Sequence, residues 1–319
     1  MHRRLHRLTI LSLAIAIAIA AACAPGDDAA DAASLEGGAT DTAAVAVAQG
    51  DFAIADGVFA TPESVFWDEQ ADMYYVSNIN GAPAEKDGNG FITRVRPDGT
   101  IDTPRWIDGA SADVTLHAPK GMAARGDTLW VTDIDTVRAF HRTTGQPIGA
   151  YGVEGATFLN DLATAADGTL YVTDTGVDAS FQPMGRAAIY QVDAQNVTAL
   201  ARGDWLNSPN GIVAVDGAII LVPFGGAAVM RVPLDGSAPD TLAVLPGGQL
   251  DGVIQTHDGA VLVSSWGSSS VYRIDASGNV SVFAANLESP ADIGYDARRN
   301  RVLVPLFNQN RVEVRTIPE

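Results

Sequence analysis

The sequence predicts an all-β fold, a six-bladed propeller of four-stranded antiparallel blades. Three observations lead to it. One short pattern returns six times, as Pro62-Glu63-Ser64-Val65, Pro119-Lys120-Gly121-Met122, Leu159-Asn160-Asp161-Leu162, Pro209-Asn210-Gly211-Ile212, Leu250-Asp251-Gly252-Val253 and Pro290-Ala291-Asp292-Ile293. Its second position recurs at steps of 57, 40, 50, 41 and 40 residues. After each return come two β-prone runs joined by a polar turn, often Asp-Gly, the strongest short-range hairpin signal. The 47% hydrophobic content is ample for a core, yet it lies in short runs between glycine-rich turns, with few long helical periodicities. A repeat of roughly 40–50 residues made wholly of strand is the signature of a propeller.

The amino terminus reads as a processing signal. Arg3, Arg4 and Arg7 precede an apolar run from Leu8 to Ala22 that is short for a membrane span. Ala20-Ala21-Ala22-Cys23 resembles a bacterial lipobox, although alanine stands where leucine is usual three residues before the cysteine. Cys23 is the only cysteine, which excludes an intrachain disulfide and a thiolate metal cluster. Two readings follow, a lipoprotein anchored through Cys23 at the bacterial cell envelope, or a periplasmic or secreted protein cut at a plain signal. Residues 23–50, mostly Ala, Asp, Gly and Thr, bury too little surface to offset their ordering entropy and read as a tether. Residues 51–319 then form the propeller domain.

The first blade runs from Val65-Phe66-Trp67 through Asp68–Asp72 to Met73–Ser77, then Phe91–Arg96, the turn Pro97-Asp98-Gly99, and Thr100–Ile107. Asp167-Gly168, Asp216-Gly217 and Asp258-Gly259 mark the same first hairpin in the third, fourth and fifth blades, and Asp127 and Arg298–Asn300 mark it in the second and sixth. No unit buries both faces of its sheet alone, so neighbours must pack and the ring must close. The last blade lacks an outer strand, which Asp51–Phe59 is the natural candidate to supply. Long insertions at Gly81–Gly90 and Gly176–Gly185 rise from the face that carries the repeated pattern.

In a propeller the repeated position meets its equivalents around the axis. Glu63, Asn160, Asn210 and Asp251 bring oxygen donors there, with Lys120 and Ala291 completing the ring. Oxygen alone suits a hard divalent cation, calcium first, with magnesium or manganese also accommodated; zinc and copper prefer His or Cys. His117, His141 and His257 lie outside the ring, the last two at the surface. A second ring is expected where the next strand returns to the same face, comprising Asn78, Asp133, Asp174, Phe224 and Trp266. Asp161 and Asp292 read as caps of blade turns. The formal charge of −18, more negative still without the three arginines of the signal, repels nucleic acid and anionic lipid. Membrane contact is therefore expected only through the lipid anchor, and a monomer is the expected state.

The order Glu63, Asn160-Asp161, Pro209-Asn210-Gly211, Asp251-Gly252 resembles the SMP-30/gluconolactonase/luciferin-regenerating family over about residues 57–318. The resemblance implies an axial divalent metal and hydrolysis of a small-molecule lactone or related ester. It matches Glu63, Asn210 and Asp251 to metal ligands, Asn160 to the neighbouring site asparagine, and Asp251 to the general base. Sugar-lactone members carry arginine two residues before that asparagine. Phe158 stands there instead, and with Phe224 and Trp266 it implies a more apolar or aromatic ligand, unless these rings only pack between blades. Lys120 has three open roles, in an ion pair with Glu63 and Asp251, on substrate or an oxyanion, or in solvent. A rival function is a non-catalytic propeller, resembling NHL-type scaffolds, that binds a peptide, glycan or small ligand.

Overall fold

The computed structural model describes residues 50–54, 57–193 and 196–318. The expected export signal 1–22, Cys23 and the expected tether up to residue 49 lie outside the described residues. Among the described residues there are six four-stranded antiparallel sheets, one per repeat. In the first five the strands follow chain order from the axis outwards. The first blade illustrates them, with Pro62–Asp68 innermost, then Met73–Asn78, Phe91–Val95 and Ile101–Asp108. The Asp-Gly turns predicted between strands are present, with Gly168 and Gly259 at φ 85° and 83°, a conformation that glycine adopts without steric cost.

The sixth sheet closes the ring. Gly294–Asp296, Arg301–Leu306 and Arg311–Thr316 come from the carboxyl end, and Phe52–Ile54 pairs outside them, Phe52 opposite Val314 and Ile54 opposite Val312. The expected donation of an outer strand is therefore found, over a shorter segment than Asp51–Phe59.

Each interface between neighbouring blades holds one apolar cluster. Strand alternation accounts for this. Tyr74 and Val76 face the last blade, against Val312 and Val314, whereas Tyr75, between them, faces Leu129 and Val131 of the second blade. Every blade thus contributes both faces of its sheet to two cores.

The repeated pattern itself is a β-bulge. Pro62 pairs with Asn78 and Val65 with Val76, so one extra residue sits between them, and the second, third, fourth and fifth blades repeat the shift at Pro119/Met122, Leu159/Leu162, Pro209/Ile212 and Leu250/Val253. A bulge re-aims a side chain, and here it brings the second residue of each pattern into the axial ring. The third residue approaches the next blade so closely that a Cβ on Gly211 would lie 2.2 Å from the Asp251 carbonyl oxygen. Hydroxyls on the second strands lock the same junctions, Thr173 Oγ1 donating to Asn210 O at 2.7 Å and Ser264 Oγ to Ala291 O at 2.8 Å.

Candidate metal centre and cavity

Glu63, Lys120, Asn160, Asn210 and Asp251 meet at the floor of a cavity of about 490 Å³ on the axis. All are buried, as is Ala291, which completes the ring without lining the cavity. Glu63 Oε2, Asn160 Oδ1, Asn210 Oδ1 and Asp251 Oδ1 are buried oxygens with no hydrogen-bond partner in the protein. Native structures rarely leave such groups unsatisfied, because each forfeits its hydration. The orientation of Asn160 is fixed from behind. Thr175 Oγ1 donates to Pro209 O at 2.9 Å and so accepts from Asn160 Nδ2 at 3.1 Å, which leaves the amide oxygen for the axis. Four orphaned oxygens from four blades fit a hard divalent cation, with room for further ligands at a calcium coordination of about 6–8. Among the described residues no group of three or more His, Cys, Asp and Glu side chains could hold a metal ion. Here two carboxylates are joined by two amide oxygens.

Burial and like charge dominate the electrostatics of the floor. Burial, then the carboxylates of Asp251 and Asp292, raises Glu63 well above the usual carboxylate range, with Lys120 opposing. Asp251 is raised by burial and Asp292, against the pull of the Trp266 indole and the Asn210 amide. That pull is modest, since the buried Trp266 Nε1 makes no hydrogen bond of normal geometry. Asp161 and Asp292 lie below the ring beside a second, smaller cavity at the other end of the axis. They tie blades together rather than capping turns. Asp161 Oδ2 accepts from Ile212 N of the next blade at 2.8 Å, and Asp292 Oδ2 accepts from Ser64 Oγ at 2.6 Å across the closing seam.

Lys120 is buried, which excludes the solvent role, and its Nζ reaches no ring carboxylate. It donates to Pro83 O at 2.9 Å and Ala118 O at 3.1 Å, and lies 4.4 Å from the centre of the Phe158 ring. Of the three roles left open, the ion pair with Glu63 and Asp251 gives way to carbonyl and cation–π contacts. Burial pushes the ammonium down to about 8, opposed by the charges of Glu63 and Asp133.

The second ring needs correction. Asn78, Asp133 and Asp174 do not line the cavity. Their side chains are spent on backbone N–H groups of the segment entering the innermost strand, Asn78 on Ala60, Asp133 on His117 and Ala118, and Asp174 on Thr157 and Phe158. Asp133 also pairs with Arg138. Each of these three residues is the last of its strand, opposite the first residue of the repeated pattern. The residue after the strand end turns inwards instead, because successive side chains point to opposite faces. Ile79, Thr175, Phe224, Trp266 and Phe307 occupy that position and line the cavity. Phe224 and Trp266 were identified from the sequence, whereas Ile79, Thr175 and Phe307 were missed. A count from the strand end, aligned across blades, would have found them. The insertions rise as expected and add Pro83 and Phe181, and Phe158 faces the cavity against Phe181 at 5.7 Å between ring centres.

The SMP-30/Gluconolactonase/LRE-like region profile matches residues 61–291. A gluconolactonase from Xanthomonas campestris superimposes with a TM-score of 0.62 at 18% identity, over 82% of this chain and 87% of that one. Regucalcin from Agrobacterium tumefaciens C58, described as a calcium-binding protein, gives 0.63 at 16% identity, over 84% and 93%. Virginiamycin B lyase from Staphylococcus aureus gives 0.57 at 14%, over 84% and 98%. At such identities the likeness is one of fold. No curated protein matches the sequence significantly.

Proposed function

From the premise that the chain belongs to the SMP-30/gluconolactonase/LRE-like family, we propose that it is a metal-dependent hydrolase of a lactone or related ester. The observation that carries this reading is the set of four unpartnered oxygens facing the axis. Glu63, Asn160, Asn210 and Asp251 would hold the ion, with calcium favoured by an all-oxygen set and magnesium or manganese sharing that chemistry. When bound, the cation supplies a Lewis acid beside the acyl carbonyl.

The remaining chemistry belongs to the chain. Asp251, with Oδ1 free on the cavity floor, takes a proton from water as the water oxygen adds to the acyl carbon. The bond from that carbon to the ring or ester oxygen then breaks, and the departing alkoxide recovers the proton from Asp251. Glu63 is the second carboxyl on the floor able to hold it. The Lys120 ammonium, fixed by two carbonyls, adds positive potential where negative charge develops on oxygen. As further parts of the proposal, the propeller works at the bacterial cell envelope, held by a lipid on Cys23, and as a monomer.

Calorimetric titration of calcium into wild type and Asp251→Ala tests the core of the proposal. Saturable binding in the wild type, weakened at least tenfold in the variant, is expected. No saturable binding in the wild type would sink the metalloenzyme. If calcium binds and no lactone or aryl ester is turned over, the non-catalytic receptor reading takes its place.

A further inference from the structure

Above the polar floor the cavity is walled by rings from different blades. Phe224 and Trp266 meet edge to face with centres 5.7 Å apart, and Trp266 and Phe307 pack at 5.2 Å. Phe158, backed by the Lys120 ammonium, and Phe181 add further rings. Phe181 keeps 54% of its surface exposed and Met184 of the same insertion 45%, so an apolar rim leads into an apolar interior. Phe307 also packs against Ile79, Ala118 and Ile134, whereas the apolar clusters of the core leave out Phe158, Phe181, Phe224 and Trp266. These rings are available to a ligand.

We infer that the site takes an ester or lactone with a flat, apolar ring system seated on the Phe224–Trp266–Phe307 wall, and not a polyhydroxylated sugar lactone. The inference rests on the hydrolase reading for its reactive group and on the wall for its substrate class. A volume of about 490 Å³ is roughly three times the ~150 Å³ that takes up one benzene ring, enough for two fused rings with a short substituent. Apart from the floor, only Thr175 and Gln249 offer polar side chains, and the Thr175 hydroxyl is already engaged on both sides. The hydroxyls of a sugar acid would lose water there without replacement, which selects against them. Trp266 Nε1 is the exception in the wall, a buried donor with no partner beside Asp251. It offers one hydrogen bond to the oxygen of a seated ester while its ring contacts the apolar body.

The test compares dihydrocoumarin, a lactone fused to benzene, with glucono-δ-lactone on calcium-loaded protein, after subtraction of spontaneous hydrolysis. A kcat/KM at least ~100-fold higher for dihydrocoumarin is expected, with the ratio falling on the order of tenfold in Trp266→Ala, mainly through KM. Equal or faster hydrolysis of glucono-δ-lactone overturns the inference and leaves the hydrolase standing. If neither lactone is hydrolysed, the hydrolase fails and binding decides the substrate class. 2-Tetralone, with CH2 in place of the ring oxygen, should then bind saturably, and at least about tenfold more weakly in Trp266→Ala; no binding overturns the inference. Phe224→Leu, a smaller change in the same wall, should shift both readouts in the same direction and serves if Trp266→Ala does not fold.

Discussion

Replacing Asp292 with asparagine isolates the electrostatic strain on the axis. Asp292 is buried at the seam between the last blade and the first, where its carboxylate accepts from Ser64 Oγ and its backbone bonds to Glu63 and Val65. Burial pushes the carboxyl from 3.8 up to about 7, against the pull of the Ser64 hydroxyl. The folded protein therefore keeps a proton that the unfolded chain releases in between. Its contribution to stability is intact below about pH 4, is lost as the pH rises towards 7, and levels off above. About three pKa units at ~1.36 kcal/mol each set a ceiling of about 4 kcal/mol. Asp161, Asp251 and Glu63 are raised by the same burial and share the field, so roughly half that value is a working lower figure. Asparagine retains an acceptor for Ser64 and carries no charge. In urea titrations of chelator-treated protein, Asp292→Asn should gain about 2–4 kcal/mol relative to wild type between pH 4 and 8. Stability curves that run parallel over that range would refute the reasoning.

Two further outcomes are expected. Lys120→Met removes a cation from the floor, so calcium should bind more tightly to the variant. In both proteins affinity should climb with pH as the raised carboxyls lose their protons, and in the wild type it should climb further as the pH rises towards about 8 and the ammonium loses its proton; identical pH profiles in calorimetry would contradict this. Cys23→Ala should move the protein from the membrane fraction to the soluble envelope fraction, and unchanged fractionation would count against a lipid anchor.

The amino-acid sequence by itself determined the number of blades and the occupants of the axial ring. Both depend on local chemistry repeated at a fixed spacing, Asp-Gly turns between β-prone runs and a bulge whose second residue is re-aimed each time. It also pointed to the closing segment, Asp51–Phe59, because the last unit lacks an outer strand; only the structure narrowed it to Phe52–Ile54. Direction was harder to read. Asn78, Asp133 and Asp174 stand one residue before the inward-facing positions, and an acidic or amide residue at a strand end looks the same whether it faces a cavity or caps a neighbouring N–H. The period of a strand is two, so a shift of one residue exchanges those fates. Lys120 depended on a partner in another blade, the Pro83 carbonyl on an insertion 37 residues earlier, which no local pattern announces. The aromatic wall is likewise a product of ring closure. Phe224, Trp266 and Phe307 lie on three successive blades and become neighbours only when those blades pack radially, turning one residue from each into a continuous surface above the polar floor.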